Sequence, residues 1–418
     1  MNETWAHRAD LAETAINERH ASAVWGLPRT NLAVVSWPPT LKEKLFIHWH
    51  YWWQAHYLDC LVDAAERKNT KARRRRIADT VRGIRIRNVE SLTKNRYYDD
   101  KAWLALAMGR AGEVKNMKRA KRLGALELNI AAGLDPKLGV LPWREGESFL
   151  NVPSNGPGAI MLARRGRIAE ARTIVDWIYD HLIDDDGLVM DGVRMRMDGP
   201  EIVRVIHPYC QGVVLGACLE IALNLRERAG VTSLEDIDTV HEAELVEDLM
   251  QYLTRIRGLV QAVASYQATP SGVLNAVTGD GDGGLFKGIL ARYLADVAVR
   301  SPRGSTALKS TACPSSARTG LPMPACRTTT ASPRPPSVSA SASSASLNAT
   351  SPCSFPAGCF LRPAHGFIAS WTSSRLPPYS AHPPGATAVA RMQAFHPKFH
   401  TFPVPACPRD VRVGRDFA

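Results

Sequence analysis

Tyr97-Tyr98-Asp99-Asp100-Lys101-Ala102-Trp103-Leu104-Ala105-Leu106-Ala107 is the stretch on which the reading of this chain turns. Two adjacent acids stand where polar sequence gives way to an apolar, helix-forming run. Acids there have an ordinary use: a carboxylate at a helix start accepts unpaired N–H groups and meets the positive end of the helix dipole. They also have a sharper one. Cleaving a glycosidic bond takes two carboxyls, one to attack the sugar and one to protonate the leaving oxygen. The doublet alone does not choose between a cap and a catalytic pair.

Outward from the doublet, residues 1–300 read as helix after helix. Apolar spacing predicts helices over 5–24, 41–67, 70–92, from the doublet to about 112, and over 116–132, 158–165, 167–183, 211–229, 237–266 and 285–299. Two β-like runs, Leu188–Met195 and Ile202–Ile206, predict a hairpin looping around Gly199-Pro200. Such helices with modest loops pack as antiparallel hairpins, and polar or aromatic residues gather in the loops between them. On the second helix Phe46, Trp49, Trp52, Trp53, Tyr57 and Leu61 make an aromatic stripe, suited to core packing or to stacking on sugars. Arg73–Arg76 reads as a solvated helix face, since no aromatic residue is interleaved to stack bases and acids lie nearby at Glu66, Asp79 and Glu90. Asp184-Asp185-Asp186-Gly187 reads as a turn. Gly279–Gly284 lacks the spacing and the Lys-Ser/Thr of a phosphate loop.

The net charge of +12 suggests a nucleic-acid partner until it is divided. Residues 1–300 hold 40 Lys+Arg against 38 Asp+Glu, whereas residues 301–418 hold 12 against 2, with 18 of the 28 prolines and five of the eight cysteines. No nucleic acid is therefore expected on the body. The first 25 residues carry acids and no apolar core of a signal, and the longest apolar stretch, near Val213–Leu223, is short and contains Glu220. Cys60, Cys210 and Cys218 suit buried thiols in a reducing compartment. These features predict a cytoplasmic body with no membrane span.

Five blocks in order carry a family likeness: His50-Tyr51-Trp52-Trp53-Gln54-Ala55, Tyr97–Trp103, Asn155-Gly156-Pro157-Gly158-Ala159-Ile160, Tyr209-Cys210-Gln211-Gly212 and Phe286-Lys287-Gly288-Ile289. With them the chain resembles glycoside hydrolase family 76, the endo-α-1,6-mannanases, over about residues 5–300. Cys210 stands where many members carry Asn. The resemblance implies an all-α (α/α)6 barrel, six helical hairpins in a ring, and a retaining mechanism on α-mannan or a mannose-containing oligosaccharide. Asp99 matches the nucleophile and Asp100 the general acid/base. Trp52, Trp53, Tyr98, Asn155, Tyr209, Gln211, Asp282 and Lys287 are the candidate sugar contacts. This chemistry needs no metal and no cofactor. Mutual charge repulsion is expected to split the proton affinities of the two acids.

After Arg300 the likeness stops. Residues 301–418 are dense in Ser, Pro, Ala and Arg and have no helical apolar period. They read either as a disordered extension or as an out-of-frame translation of GC-rich DNA, the scattered cysteines favouring the second. On both readings the catalytic domain, 1–300, lacks its sixth hairpin, and the hydrolase is then expected to be unstable and weakly active or inactive. Other readings kept open are a different (α/α)6 enzyme, such as a glucuronyl hydrolase or a sugar epimerase, and a polyanion-binding protein using the basic tail.

Overall fold

The computed structural model describes residues 3–114, 121–230, 242–270, 272–275 and 281–301. Among these are eleven α-helices: α1 (Glu3–Arg19), α2 (Leu41–Lys44), α3 (Tyr51–Arg67), α4 (Lys71–Arg87), α5 (Tyr98–Glu113), α6 (Lys121–Ala131), α7 (Val152–Arg164), α8 (Ile168–His181), α9 (Pro208–Arg228), α10 (Ala243–Tyr266) and α11 (Gly283–Arg300). Two short strands, β1 (Ala21–Ser22) and β2 (Leu32–Ala33), pair antiparallel. β3 (Phe149–Asn151), β4 (Gly192–Arg196) and β5 (Gly199–Val203) form an antiparallel sheet, with Leu150 opposite Val193 and Val193 opposite Ile202.

Burial sorts the helices into two layers. On α5 every residue from Lys101 to Met108 is buried, and on α9 every residue from Cys210 to Ala222. A helix apolar all round belongs in a core. On α8 only Ile168, Ala171, Ile174, Val175, Trp177 and Ile178 are buried, one stripe of a two-faced helix. Accordingly α3, α5, α7, α9 and α11 pack side by side in chain order, and α4, α6, α8 and α10 back them from outside. α1 lies against α3. This is the alternating ring of an (α/α)6 barrel. α9 is long and apolar enough to cross a bilayer, but most of it is buried between its neighbours in this fold. Glycine sets the spacing where inner helices meet: a Cβ on Gly156 would stand 2.2 Å from Val213, and one on Gly212 2.9 Å from the Leu290 backbone.

Several sequence boundaries need correction. The helix expected over 41–67 is two, because Phe46 and His50 take positive φ and turn the chain between α2 and α3. The first helix stops at Arg19, and its expected end is spent on β1 and a short turn. α7 begins at Val152, not 158: Pro153 sits in the first turn, where its missing N–H has no helical partner to lose. Gly199-Pro200 lie within β5, so the hairpin turns at Met197-Asp198 instead. Arg73 is not a solvated residue; it pairs with Asp10 (2.8 Å) and Glu13 (2.5 Å) and pins α1 to α4. The starts expected at 116 and 237, Gly279 and Asp280 of the glycine-rich stretch, and the whole reading of the tail and the sixth hairpin lie outside the described residues.

At the end of the ring where the inner helices finish, a cavity of about 1140 Å³ is lined by paired charges. Arg110 of α5 reaches Asp59 (2.5 Å), Asp63 (2.6 Å) and Glu66 (2.8 Å) of α3. Arg292 of α11 reaches the same Asp59 (3.1 Å) and Asp63 (2.5 Å), so it ties the last inner helix to the first. Burial alone would push the Asp59 carboxyl up, but Arg292 and Arg110 more than reverse this and hold it low, at about 2. Removing one member of a buried charge cluster leaves the others unpaired and costs several kcal/mol. Arg292→Ala is expected to destabilise the fold by about 3 kcal/mol, read as a lower urea midpoint. An unchanged midpoint would show that the α3–α11 seam is held elsewhere.

Candidate active site

The first turns of the five inner helices meet at the opposite end of the ring. Trp52 of α3, Asp99 and Asp100 of α5, Pro153 of α7, Tyr209 of α9 and Phe286 of α11 all line one cleft of about 530 Å³. Tyr97 and Trp143 complete its wall, with His50, Trp103, Phe149, Asn151, Asp191, Arg194, His207 and Asp282. One side is a stack of rings: Tyr209 lies on Phe286 (centroids 4.2 Å apart, planes at 25°), and Trp52 lies against Phe286 at 6.3 Å. Trp143 stands across the cleft with its edge to Tyr97 (5.1 Å).

Asp99 and Asp100 are the second and third residues of α5, after the N-cap Tyr97. The doublet therefore stands in the first turn, where acids meet the positive end of the helix dipole, and also lines the cleft. Asp99 Oδ1 accepts the Asp100 backbone N–H (2.8 Å), and its Oδ2 accepts the indole N–H of Trp143 (3.0 Å). Asp100 Oδ2 accepts from Asn95 Nδ2 (2.6 Å), whose own Oδ1 is fixed by the Tyr97 N–H (2.9 Å). Both carboxyls are pushed well above the ordinary range, Asp100 further than Asp99. Burial is the main cause for each, and the charge of Asp99 is the second for Asp100. Desolvation raises both, and the charge of Asp99 raises Asp100 further, in the sense expected from their mutual repulsion. Asp282 raises both further, while the hydrogen bonds from Trp143 to Asp99 and from Asn95 to Asp100 act the other way.

Lys101, the next residue, is fully buried. Its ammonium lies over the Tyr98 ring (3.9 Å) and donates to Asn129 (2.8 Å) and Glu145 (2.9 Å). Glu145 belongs to the loop that carries Trp143, and Tyr98 N–H donates to Trp143 O (2.9 Å). Lys101 thereby holds in place the indole that holds Asp99. Among the described residues no three His, Cys, Asp or Glu side chains are gathered as a metal site.

The glycosyl hydrolase family 76 model matches residues 29–317, well over half of the chain. The chain belongs to glycoside hydrolase family 76. It is a glycoside hydrolase by family. The α-1,6-mannanase GH76A of Salegentibacter sp. HEL1_6 is 25% identical with a TM-score of 0.58, over 71% of this chain and 81% of that one. An inactive variant of that enzyme, with Asp-to-Asn changes at two consecutive positions, is bound to α-1,6-mannotriose; it is 24% identical, with the same TM-score of 0.58 and the same coverage, 71% and 81%. The Lin0763 protein of Listeria innocua is 22% identical with a TM-score of 0.57, over 70% of this chain and 79% of that one. No curated protein matches the chain.

Among the candidate site residues, Trp52, Tyr209, Asp282, Asp99 and Asp100 come together in the cleft. Trp53 stands behind it, stacked on His50 (4.8 Å), and donates its indole N–H to Asp282 (2.8 Å). Tyr98 is buried under Lys101 against Gly133, and its neighbour Tyr97 takes the wall. Lys287 is half-buried beside Phe286 and is not part of the lining.

Asn155 and Gln211 are fully buried and face backbone rather than the cleft. Asn155 accepts from Leu141 N–H and donates to Leu141 O and Asn151 O, each at 2.8 Å. Gln211 does the same with Val189 N–H (2.8 Å), Val189 O (2.8 Å) and His207 O (3.0 Å). Gln54 repeats the device with Ala33 N–H (2.9 Å), Ala33 O (2.8 Å) and Trp49 O (2.8 Å). Three inner helices thus each use one buried amide near the first turn to lock an incoming loop. The glycines that follow Asn155 and Gln211 admit the neighbouring helix. Asp191, Arg194 and His207 were not among the candidates: Asp191 and Arg194 come to the cleft through the pairing of β4, which no local pattern marks, whereas His207 is the N-cap of α9, two residues before Tyr209.

These assignments separate by the sign of a stability change. Asn155→Ala leaves buried backbone groups unpaired and is expected to cost about 3 kcal/mol. Asp100→Asn is expected to stabilise instead. A carboxyl whose folded proton affinity is raised is harmless below its unfolded value of about 3.9 and costs stability once pH rises through the folded one. Asn is neutral throughout, so Asp100→Asn raises Tm near pH 8 and leaves it unchanged near pH 3. Thermal melts at the two pH values check this; a lower Tm near pH 8 would mean that Asp100 is a structural acid.

Proposed function

We propose that this enzyme hydrolyses α-1,6-mannosidic linkages with retention of configuration, Asp99 acting as nucleophile and Asp100 as general acid/base. The observation that carries the reading is the pair itself: adjacent carboxyls at the floor of one aromatic-walled cleft, with the proton held more tightly on Asp100. Retaining pairs stand close together, at roughly 5–5.5 Å. The α-1,6-mannanase relative at 25% identity, and the inactivation of a relative at two consecutive aspartates, support the linkage and the pair.

In the first step the Asp99 carboxylate attacks the anomeric carbon while Asp100 gives its proton to the glycosidic oxygen, and the leaving sugar departs as an alcohol. In the second, Asp100, now ionised, takes a proton from water as that water attacks the same carbon and releases Asp99. Trp143 keeps Asp99 oriented and favours its anion. The rings of Trp52, Phe286 and Tyr209 offer faces for pyranose C–H groups, and Asp191, Asp282 and Arg194 offer partners for hydroxyls.

Asp99→Asn and Asp100→Asn should each lower turnover of α-1,6-mannan by about 10³-fold or more. The two roles part on a substrate with an activated aryl leaving group, which needs no acid. Asp100→Asn keeps fast formation of the glycosyl intermediate there and Asp99→Asn does not. For the parent, kcat/KM falls as pH rises through the raised Asp100 value and as pH drops below that of Asp99. Near-parental turnover of mannan by both variants would remove the assignment.

A further inference from the structure

The segment that joins β1 to α3 carries a surface that hydrolysis does not use. Trp25, Leu27, Trp37, Leu41, Leu45 and Ile47 are each between 41% and 71% exposed. Hydrogen bonds hold the parts of this segment together. Trp25 donates its indole N–H to Leu45 O (2.8 Å), Ser36 donates to Glu43 (2.7 Å), and Ile47 N–H donates to Lys42 O (2.8 Å). Exposed apolar area of this extent, on the order of several hundred Å², marks an interaction site on a folded protein.

Two further observations belong to the same segment. Four of the six non-glycine residues with positive φ among the described residues are here: Trp25, Arg29, Phe46 and His50. Bulky residues pay free energy to take that conformation. Its result here is that Phe46 is buried while Leu45 and Ile47 on either side of it are exposed. The charge is also one-sided. Arg29, Lys42, Lys44 and His48 are exposed, and the single acid between Trp25 and His50, Glu43, is engaged by Ser36 and the capping box with Thr40. The segment leads directly into His50 and Trp52 at the cleft wall.

We propose that residues 25–48 dock the enzyme on an anionic lipid surface, with the cleft mouth beside the contact. Indole rings and branched apolar side chains among lysines are the composition that rests at the headgroup–acyl boundary of a bilayer. Basic residues near it add attraction for anionic headgroups. A second copy of the chain is the poorer occupant, because a two-fold pairing of this patch sets the same unneutralised cations against each other.

The test is co-sedimentation of the full chain with phosphatidylcholine vesicles and with vesicles doped with phosphatidylglycerol. Two variants are compared with the parent: Leu41→Ser/Ile47→Ser and Lys42→Glu/Lys44→Glu, both at exposed positions, so melting stays near parental. Attraction by the basic stretch 301–418 is common to all three proteins and cancels. The proposal expects binding to the doped vesicles, weakened about tenfold in each variant, and blue-shifted tryptophan emission in the parent alone. Equal binding by parent and variants overturns it. So does a parent dimer that the variants dissolve, or weaker binding of soluble α-1,6-mannan by the variants with vesicle binding unchanged. Since lipid binding is read without hydrolysis, its outcome is independent of the catalytic assignment.

Discussion

The arrangement depends on placing two adjacent carboxyls in the first turn of an inner helix and keeping them from water without neutralising them with a cation. Burial raises the proton affinity of both. What keeps the site from refusing charge altogether is the ring. Five inner helices begin at the cleft, so the positive ends of five helix dipoles point toward Asp99, Asp100, Asp191 and Asp282. Among the described residues Arg194 is the one guanidinium lining this site of four carboxyls, and it acts with His207 on Asp191, while Asp99 and Asp100 accept from neutral donors. That leaves proton affinity free to differ between Asp99 and Asp100, as acid/base chemistry requires.

The two ends of the ring divide the work. At the far end charges are paired in full view of each other: Arg110 and Arg292 on Asp59 and Asp63, and Arg164 and Arg300 both on Glu220 at 2.8 Å. Those pairs link α3, α5, α7, α9 and α11 across the axis. At the cleft end the fixing is done by buried amides and one buried ammonium, Lys101. The amides that position the loops carry no charge toward the cleft. The large arginine–carboxylate clusters lie at the end of the ring away from Asp99 and Asp100.

Much of this was legible in the chain, for reasons that can be named. Helical period and apolar runs predicted the inner helices, because α5 and α9 are buried on every side and show it as unbroken apolar sequence. The doublet and Trp52, Tyr209 and Asp282 were found because helix-start motifs place them at one end of a parallel ring. Asn155 and Gln211 were misread for a physical reason. An amide suits a sugar hydroxyl and a backbone amide pair equally well, and sequence does not say which it faces. Pro153 hid the start of α7, since proline reads as a break although a first turn tolerates it. Asp191 and Arg194 were invisible because their place depends on long-range pairing of β4 with β3.

The central claim is that Asp99 and Asp100 act as a retaining pair on α-1,6-linked mannose. The configuration of the first-formed product tests it most directly, by following anomeric proton signals as the enzyme cleaves α-1,6-mannotetraose, before mutarotation. A new reducing end that appears first as the α-anomer is the result this account predicts. A β-anomer appearing first would mean direct attack by water, and would contradict the assignment of Asp99 as nucleophile.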